Sequence, residues 1–234
     1  MEKNIQKISQ RQKDNRKKTE KIIFSNLEEA IKVLKETANA KFNETVELHA
    51  NLNINPKYAD QQLRTTLSLP HGIGKTIKIA VLTNEENFEE ARNNGADIIG
   101  NESLIEDISQ GMFDFDLLIA TPDMMPKLAK LGRVLGPKGL MPSPKSGTVT
   151  TTLSQTLLDF KKGKFEYKAD KTGIVHVSFG KSDFSETNLI ENLVTLFGSI
   201  EQNRPSGVKG KYFKNLFICS TMGPSIQLDL SSFS

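Results

Sequence analysis

The sequence predicts a mixed fold in which a discontinuous α+β domain, built from both ends of the chain, carries an inserted α/β domain. Both flanks contain long alternating strands with one main helix each, whereas the middle contains short strands alternating with short helices. The 234 residues are 37% hydrophobic and 25% charged, which is typical of a soluble chain long enough for two domains. We therefore predict a discontinuous domain over 1–72 and 163–234 and an inserted domain over 73–162.

The N-terminal flank opens with a basic arm over residues 1–21, where eight Lys and Arg stand against three Asp and Glu. We expect this arm to be helical or frayed. A helix follows, with Ser25 as its predicted N-cap. Glu44–Ile54 alternates apolar and polar residues, which predicts a half-buried strand, and Leu63–Pro70 predicts a second one.

From Thr76 onward the predicted elements change from long strands to short strands that alternate with short helices. Strands are predicted over Thr76–Thr83, 96–100 and Phe115–Thr121, and helical segments separate them. Strands that alternate with helices imply βαβ units on a parallel sheet, so the inserted domain is expected to be Rossmann-like α/β. A helix interrupted by glycine is predicted from Pro122 onward.

The C-terminal flank returns to longer elements after Gly163. Alternating strands surround a turn at Asp170–Gly173, and an amphipathic helix capped by Ser185 runs to Asn203. Strands are predicted over Phe213–Thr221 and Ser225–Leu230.

Composition excludes several classes of protein. A single cysteine, Cys219, allows neither an internal disulfide nor a cysteine-built zinc site. Three histidines leave little for a histidine metal centre, so we expect no metal and no cofactor. No run approaches the roughly 18 apolar residues of a membrane span, so no membrane partner is expected.

The segment His71–Thr76 ends like a phosphate-binding loop, which raises a nucleotide-binding enzyme as the alternative function. Such a loop needs a glycine five positions before its Gly-Lys-Thr glycine, but Leu69 stands there. Thr76 also opens a predicted strand instead of a helix. We therefore expect a tight glycine turn with Lys75 free to contact a phosphate, no catalytic residues, and no enzyme.

Charge is strongly segregated along the chain. Residues 84–123 carry eleven acidic residues and one basic residue, and we interpret them as a solvated acidic face. Two acid-free stretches are basic instead, which is typical of a polyanion partner. One is the Gly/Pro-rich loop Leu131–Leu153, which offers Arg133, Lys138 and Lys145. The other runs from Gln202 to Leu228, offers Lys211, and contains a turn at 220–224.

Four segments carry a resemblance to a known family. In chain order, the segments are KFNETVELHANLNI, LPHGIGKTIKIAV, GRVLGPKGLMPSPKSGTVT and STMGP. Their order and spacing resemble those of the large-subunit ribosomal protein L1 family, the protein of the mobile stalk beside the ribosomal exit site. The resemblance covers essentially the whole chain. It implies a two-domain protein, monomeric when free, that binds large-subunit ribosomal RNA on the ribosome. It further implies assistance in the release of deacylated tRNA from the exit site, and repression of translation of the protein's own mRNA.

The matching positions give the expected RNA-binding residues. At the first strand and at the C-terminal turn they are Lys41, Phe42, Glu44, Thr45, Thr221, Met222 and Gly223. By chemistry, the Thr221 hydroxyl suits a ribose 2′-hydroxyl, Met222 a sugar or base surface, and Gly223 a close approach of backbone. Phe42 is expected to offer a stacking face or the floor of the turn, with a plain core position as the alternative.

The source compartment is also indicated. The run YKADKTGIVHVSFGK and the bias toward Lys and Asn resemble plastid members more than free-living bacterial ones, and no transit peptide is visible at the N-terminus. We expect a protein encoded and used inside a plastid, in the chloroplast stroma, with a bacterial cytoplasm as the alternative.

Overall fold

The computed structural model describes residues 9–19 and 22–233, and it confirms the predicted mixed α/β class. The predicted basic arm therefore lies in part outside the described residues, and its described part contains a helix. The α-helices are α1 Gln10–Thr19, α2 Leu27–Thr37, α3 Phe88–Asn93, α4 Glu102–Ser109, α5 Met125–Leu128, α6 Gly132–Lys138, α7 Leu153–Lys161 and α8 Glu186–Gln202. The strands are β1 Ile23–Phe24, β2 Thr45–Leu52, β3 Arg64–Ser68, β4 Ile79–Leu82, β5 Ile98–Gly100, β6 Leu117–Ala120, β7 Lys164–Lys168, β8 Ile174–Lys181, β9 Phe213–Ser220 and β10 Ile226–Leu228.

The chain divides into two compact units. The first comprises the described residues of Met1–Leu63, Leu69–Gly74 and Tyr167–Ser234, and the second comprises Arg64–Ser68 and Lys75–Glu166. These bounds differ from the sequence-predicted ones mainly at β3. That strand pairs with β7 instead of joining the large sheet, so it groups with the second unit.

The first unit is built on a five-stranded sheet in the order β1-β10-β9-β2-β8. Its strands pair antiparallel except for the parallel pair β1–β10. Alternate residues of β2 are buried, as the sequence pattern predicts, and α2 and α8 pack against the same sheet. The predicted stripe of α8 is confirmed, since Leu189, Leu193 and Leu196 are fully buried. The other sheet face carries more polar and partly exposed side chains.

The second unit is built on a three-stranded parallel sheet in the order β5-β4-β6. One apolar cluster joins Leu82 and Leu118 to α4, α5 and α6, and a second joins Ile79 and Ile119 to α3 and α7. Helices therefore cover both faces of the sheet, as the alternating pattern requires. No helix among the described residues is long and apolar enough to cross a membrane.

Several local predictions are wrong. The N-cap of α2 is Asn26, whose side chain accepts from the Glu28 N–H, and not Ser25. The long Gly/Pro-rich segment is not wholly a loop, because α6 occupies its first part despite Pro137, and ends at Gly139 with a φ of 72°. Helix α7 was not anticipated. The predicted strands around the turn at Asp170–Gly173 are confirmed as β7 and β8; β7 pairs with β3, and β8 pairs with β2.

Candidate nucleic-acid interface

Predicted RNA-binding residues from two distant segments of the first unit meet around a buried carboxylate. Glu44 is only 1% exposed. Its Oε1 accepts the Ala40 N–H at 2.9 Å, and its Oε2 accepts the Met222 N–H at 2.9 Å. One side chain thereby holds the segment before β2 to the turn after β9, which lies 178 positions further along the chain. We call this arrangement the Glu44 clamp.

The electrostatics of the clamp favour an ionised carboxylate. Burial raises the pKa of Glu44, and the backbone N–H groups of Met222 and Ala40 lower it. The nearby Ser220 hydroxyl and the charge of Arg11 act in the same direction, so the pKa of Glu44 lies below its ordinary value of 4.5. Its oxygens are therefore engaged inside the protein. The geometry gives Glu44 a positioning role, and its predicted contact with RNA stays a prediction.

Thr221 closes the same junction from the other side. Its N–H donates to the Thr45 carbonyl at 3.0 Å, and its hydroxyl accepts the Thr45 N–H at 3.0 Å. The hydroxyl also donates to the Thr45 carbonyl at 3.3 Å. A hydroxyl has one donor and two acceptor positions, so a single acceptor position is left for a ligand. Thr221 is exposed, and a ribose 2′-hydroxyl there would act as the donor.

Around this junction the apolar and basic side chains point outward. Phe42 is 54% exposed and Met222 is 51% exposed, so the core alternative for Phe42 is wrong. Lys41 is exposed, and it forms no ion pair within the described part of the chain. The Glu44 carboxylate joins the two segments that carry these side chains. We call the surface formed by exposed Lys41, Phe42 and Met222 the Phe42–Met222 patch. Such a patch suits phosphate and base or sugar surfaces.

Gly223 has an internal reason to lack a side chain. A Cβ placed there would lie 2.4 Å from the Ser220 Oγ, and Ser220 is 2% exposed. The glycine thus permits the turn to fold back on the end of β9. Its predicted role in approach to RNA stays a prediction.

The structure adds two residues that sequence reasoning missed. Lys181, at the end of β8, donates from its Nζ to the Thr45 Oγ1 at 3.1 Å. The Ser182 hydroxyl accepts the Glu44 N–H and donates to the Asn43 Oδ1 at 2.9 Å. Both lie at or just after the end of β8, 136 or more positions away from their partners, and the sequence pattern carries no signal for that pairing.

Lys211 does not join this patch. It is exposed and precedes β9, whereas Thr221 follows β9. The eight residues of the strand separate the two ends by about 27 Å at about 3.4 Å per residue. A contact of Lys211 with RNA would therefore be made at the opposite end of the sheet.

The basic residues predicted in the second unit are exposed but dispersed. Arg133 and Lys138 are five positions apart on α6, which sets them on different faces of that helix. The Lys138 Nζ lies 3.3 Å from the centre of the Phe113 ring, a cation–π contact. Lys145 belongs to a separate short turn at Pro144–Ser146.

The glycine turn at His71–Thr76 does not form a phosphate loop. Gly72 and Gly74 both have positive φ, and the next regular element is β4. Lys75 is not free, because its Nζ lies 2.6 Å from the Asp116 Oδ1, which corrects the expectation for that lysine.

A histidine–cysteine contact lies on the more polar face of the sheet. The His49 Nε2 is 3.1 Å from the Cys219 Sγ, and the His49 Nδ1 is 2.8 Å from the His176 Nδ1. Burial and the charge of Glu47 raise the pKa of the Cys219 thiol, whereas a nucleophilic cysteine needs a lowered pKa. Among the described residues, no three His, Cys, Asp or Glu side chains are grouped to hold a metal.

Comparison with known proteins identifies close relatives. The model of the ribosomal protein L1p/L10e family matches residues 34–224. The chain is 76% identical to the large ribosomal subunit protein uL1c of Trieres chinensis, over 98% of this chain and 100% of the relative. It is 71% identical to the uL1c of Phaeodactylum tricornutum, with the same coverage. It is 62% identical to the uL1 of Synechococcus sp. (strain WH7803), over 87% of both chains.

Proposed function

This chain belongs to the ribosomal protein L1p/L10e family and is a structural constituent of the large ribosomal subunit, and we propose that it attaches there by binding large-subunit ribosomal RNA through the Phe42–Met222 patch. The relatives are ribosomal structural proteins, which confirms that the chain is not an enzyme. They include uL1c and cyanobacterial uL1 proteins, which confirms the predicted plastid-type or bacterial, ribosome-bound character.

One observation carries the proposal. The Glu44 clamp joins two segments far apart in sequence, and each presents an exposed apolar side chain, Phe42 at 54% and Met222 at 51%. An exposed lysine, Lys41, directly precedes Phe42, so the same surface offers both apolar contact area and a positive charge. RNA is recognised by shape, by ribose 2′-hydroxyls and by stacking, and these residue types suit all three.

The finer roles follow from this RNA-binding role. The protein forms the mobile stalk with its ribosomal RNA and assists the release of deacylated tRNA from the exit site. Exposed Arg133, Lys138 and Lys145 in the second unit are available for tRNA or ribosomal RNA phosphates. An mRNA that presents the same shape as the ribosomal site would compete for the Phe42–Met222 patch, and that competition would repress the protein's own translation.

Filter binding with a matched pair of variants tests the proposal. Thr221→Val removes the hydroxyl while keeping the shape, and Thr221→Ser keeps the hydroxyl. We expect Thr221→Val to weaken binding to a large-subunit ribosomal RNA fragment by about 1–3 kcal/mol, and Thr221→Ser to bind nearly normally. The melting temperature of each variant is measured as well, because Thr221→Val also removes hydrogen bonds to Thr45 and a loss of fold must be separated from a loss of binding. Equal binding of wild type to this fragment and to random RNA would refute the proposal.

A further inference from the structure

A groove of about 540 Å³ adjoins the Phe42–Met222 patch. One wall is the turn and strand that follow β9, including Met222 and Gln227, and the opposite wall is α1. Phe217 of β9 lines it as well. The residues of α1 that face the groove are Gln12, Asn15, Arg16 and Thr19. Their spacing places them on one side of the helix, so α1 presents a polar stripe to the groove.

The walls of the groove are ordered. Asn15 is 6% exposed, and its Nδ2 donates to the Thr37 carbonyl at 3.0 Å, which fixes α1 to the end of α2. On the other side, Gln227 is the register partner of Phe217 across the β10–β9 pair. Directly opposite residues lie side by side on one face of a sheet, so an amide stands next to an aromatic ring. The turn itself is held by the Glu44 clamp through the Met222 N–H.

The polar groups that line the groove have unused capacity. Within the described part of the chain, the side-chain amides of Gln12 and Gln227 make no hydrogen bond, and Arg16 forms no ion pair. Arg16 is exposed, and a guanidinium suits a phosphate because it donates in a planar fork. Amide groups can both donate to and accept from a base edge. Phe217 and Met222 offer an aromatic face and a polarisable thioether to a base plane.

Taken together, these groups match the parts of one nucleotide. In a fully paired RNA helix the base faces are stacked and unavailable, so a side chain can stack only on a base that has left the helix. We infer that the groove between α1 and the turn after β9 binds a single unpaired nucleotide of the RNA, with its base against Phe217 and its phosphate near Arg16. This inference rests on the proposed RNA-binding function and specifies the ligand next to the patch.

The test uses the full chain and a large-subunit ribosomal RNA fragment that it retains in filter binding. In a set of fragments, each unpaired nucleotide in turn is replaced by an abasic residue. We expect one abasic position to weaken binding about tenfold, the scale of one stacked base. Phe217→Leu should weaken binding to the intact fragment by a similar factor and should cause no further loss on that one abasic RNA. Phe217→Tyr should bind normally.

Asn215→Ala is the matched control, because Asn215 lies on the same strand and does not line the groove. Where Phe217→Leu lowers the melting temperature, Gln227→Leu on the partner strand gives an independent test with the same expected abasic dependence. An equal loss on every abasic RNA, or no loss with either variant, overturns the inference. If Thr221→Val weakens specific binding while the groove variants do not, the proposed function stands and this inference fails. If wild type fails to distinguish ribosomal from random RNA, both fail.

Discussion

The two units treat their positive charge differently. In the second unit, six of the twelve described Lys and Arg form ion pairs with carboxylates, such as Lys75 with Asp116 and Lys127 with Glu102. In the first unit, two of the sixteen described Lys and Arg do so, Lys17 and Lys18. A lysine or arginine that is paired with a carboxylate is partly neutralised, whereas an unpaired one can still bind a phosphate of a polyanion. The difference supports the proposal that the first unit is the main RNA-binding part.

The net charge of sequence segments would instead favour the second unit as the part that binds a polyanion, because it does not take ion pairs into account. Residues 124–171, largely in the second unit, carry ten Lys and Arg against three Asp and Glu, yet two of those lysines pair with acidic side chains from another segment. Lys161 pairs with Asp97 and Lys127 with Glu102, partners from the acidic stretch 84–123. Folding thus cancels part of a charge segregation that the linear sequence displays.

The largest expected effect on RNA binding is that of removing either of the two exposed apolar side chains. Phe42→Ala and Met222→Ala should each weaken specific RNA binding by about 1–3 kcal/mol, because each removes a packed contact at the centre of the interface. Filter-binding isotherms measure this. Tyr58→Ala is the control, since Tyr58 is 59% exposed in the same unit but not in the patch. An effect of Tyr58→Ala equal to that of Phe42→Ala would remove the special status of the patch.

The Glu44 clamp gives the next effect. Glu44→Gln should destabilise the protein by about 1.5–3 kcal/mol at pH 7, because hydrogen bonds to a charged acceptor are lost, and should weaken RNA binding with it. The folded pKa of Glu44 lies below 4.5, so the contribution of the carboxylate is full above that pH and disappears as pH falls through the folded pKa. In urea unfolding, the difference in the free energy of unfolding between wild type and Glu44→Gln should therefore become smaller below pH 4.5. A gap that is constant down to pH 3 would contradict an ionised clamp.

Substitution of lysines at the two ends of the sheet should affect RNA binding in different ways. Lys41→Gln should lower the affinity for the ribosomal fragment and flatten its dependence on log salt by about 0.7–0.9, the value of one phosphate contact. Lys211→Gln, at the other end of β9, should lower the affinity for ribosomal and random RNA alike. Salt titrations with both RNAs separate the two outcomes. A selective loss for the ribosomal fragment in Lys211→Gln would place a second specific contact at that end.

The smallest effect is expected on the acidic surface of the second unit. Glu86 and Glu89 are exposed and form no ion pair within the described residues, so Glu86→Gln with Glu89→Gln should leave specific affinity within about 0.5 kcal/mol of wild type. Filter binding checks this directly. A gain in affinity larger than that would mean that this surface lies close to bound RNA and repels it.

The sequence by itself determined the fold class and most elements. Alternation in β2 predicted its buried face, and the stripe of α8 predicted its packing, because the periods of strand and helix are local properties of the chain. The resemblance to family motifs predicted the segments to which we assign the proposed interface. Local patterns failed where context dominated, as at β3, which was assigned to the discontinuous domain but pairs with β7 and groups with the second unit.

The tertiary structure decided what each interface residue does. Sequence could not reveal that Glu44 is buried and accepts the Met222 N–H, that the Thr221 hydroxyl is engaged by Thr45, or that Lys211 lies at the other end of β9. It also could not reveal the groove that Phe217 and α1 line together. Each of these depends on pairing between strands far apart in the chain. That pairing is set by packing of the whole unit, and no local residue pattern encodes it.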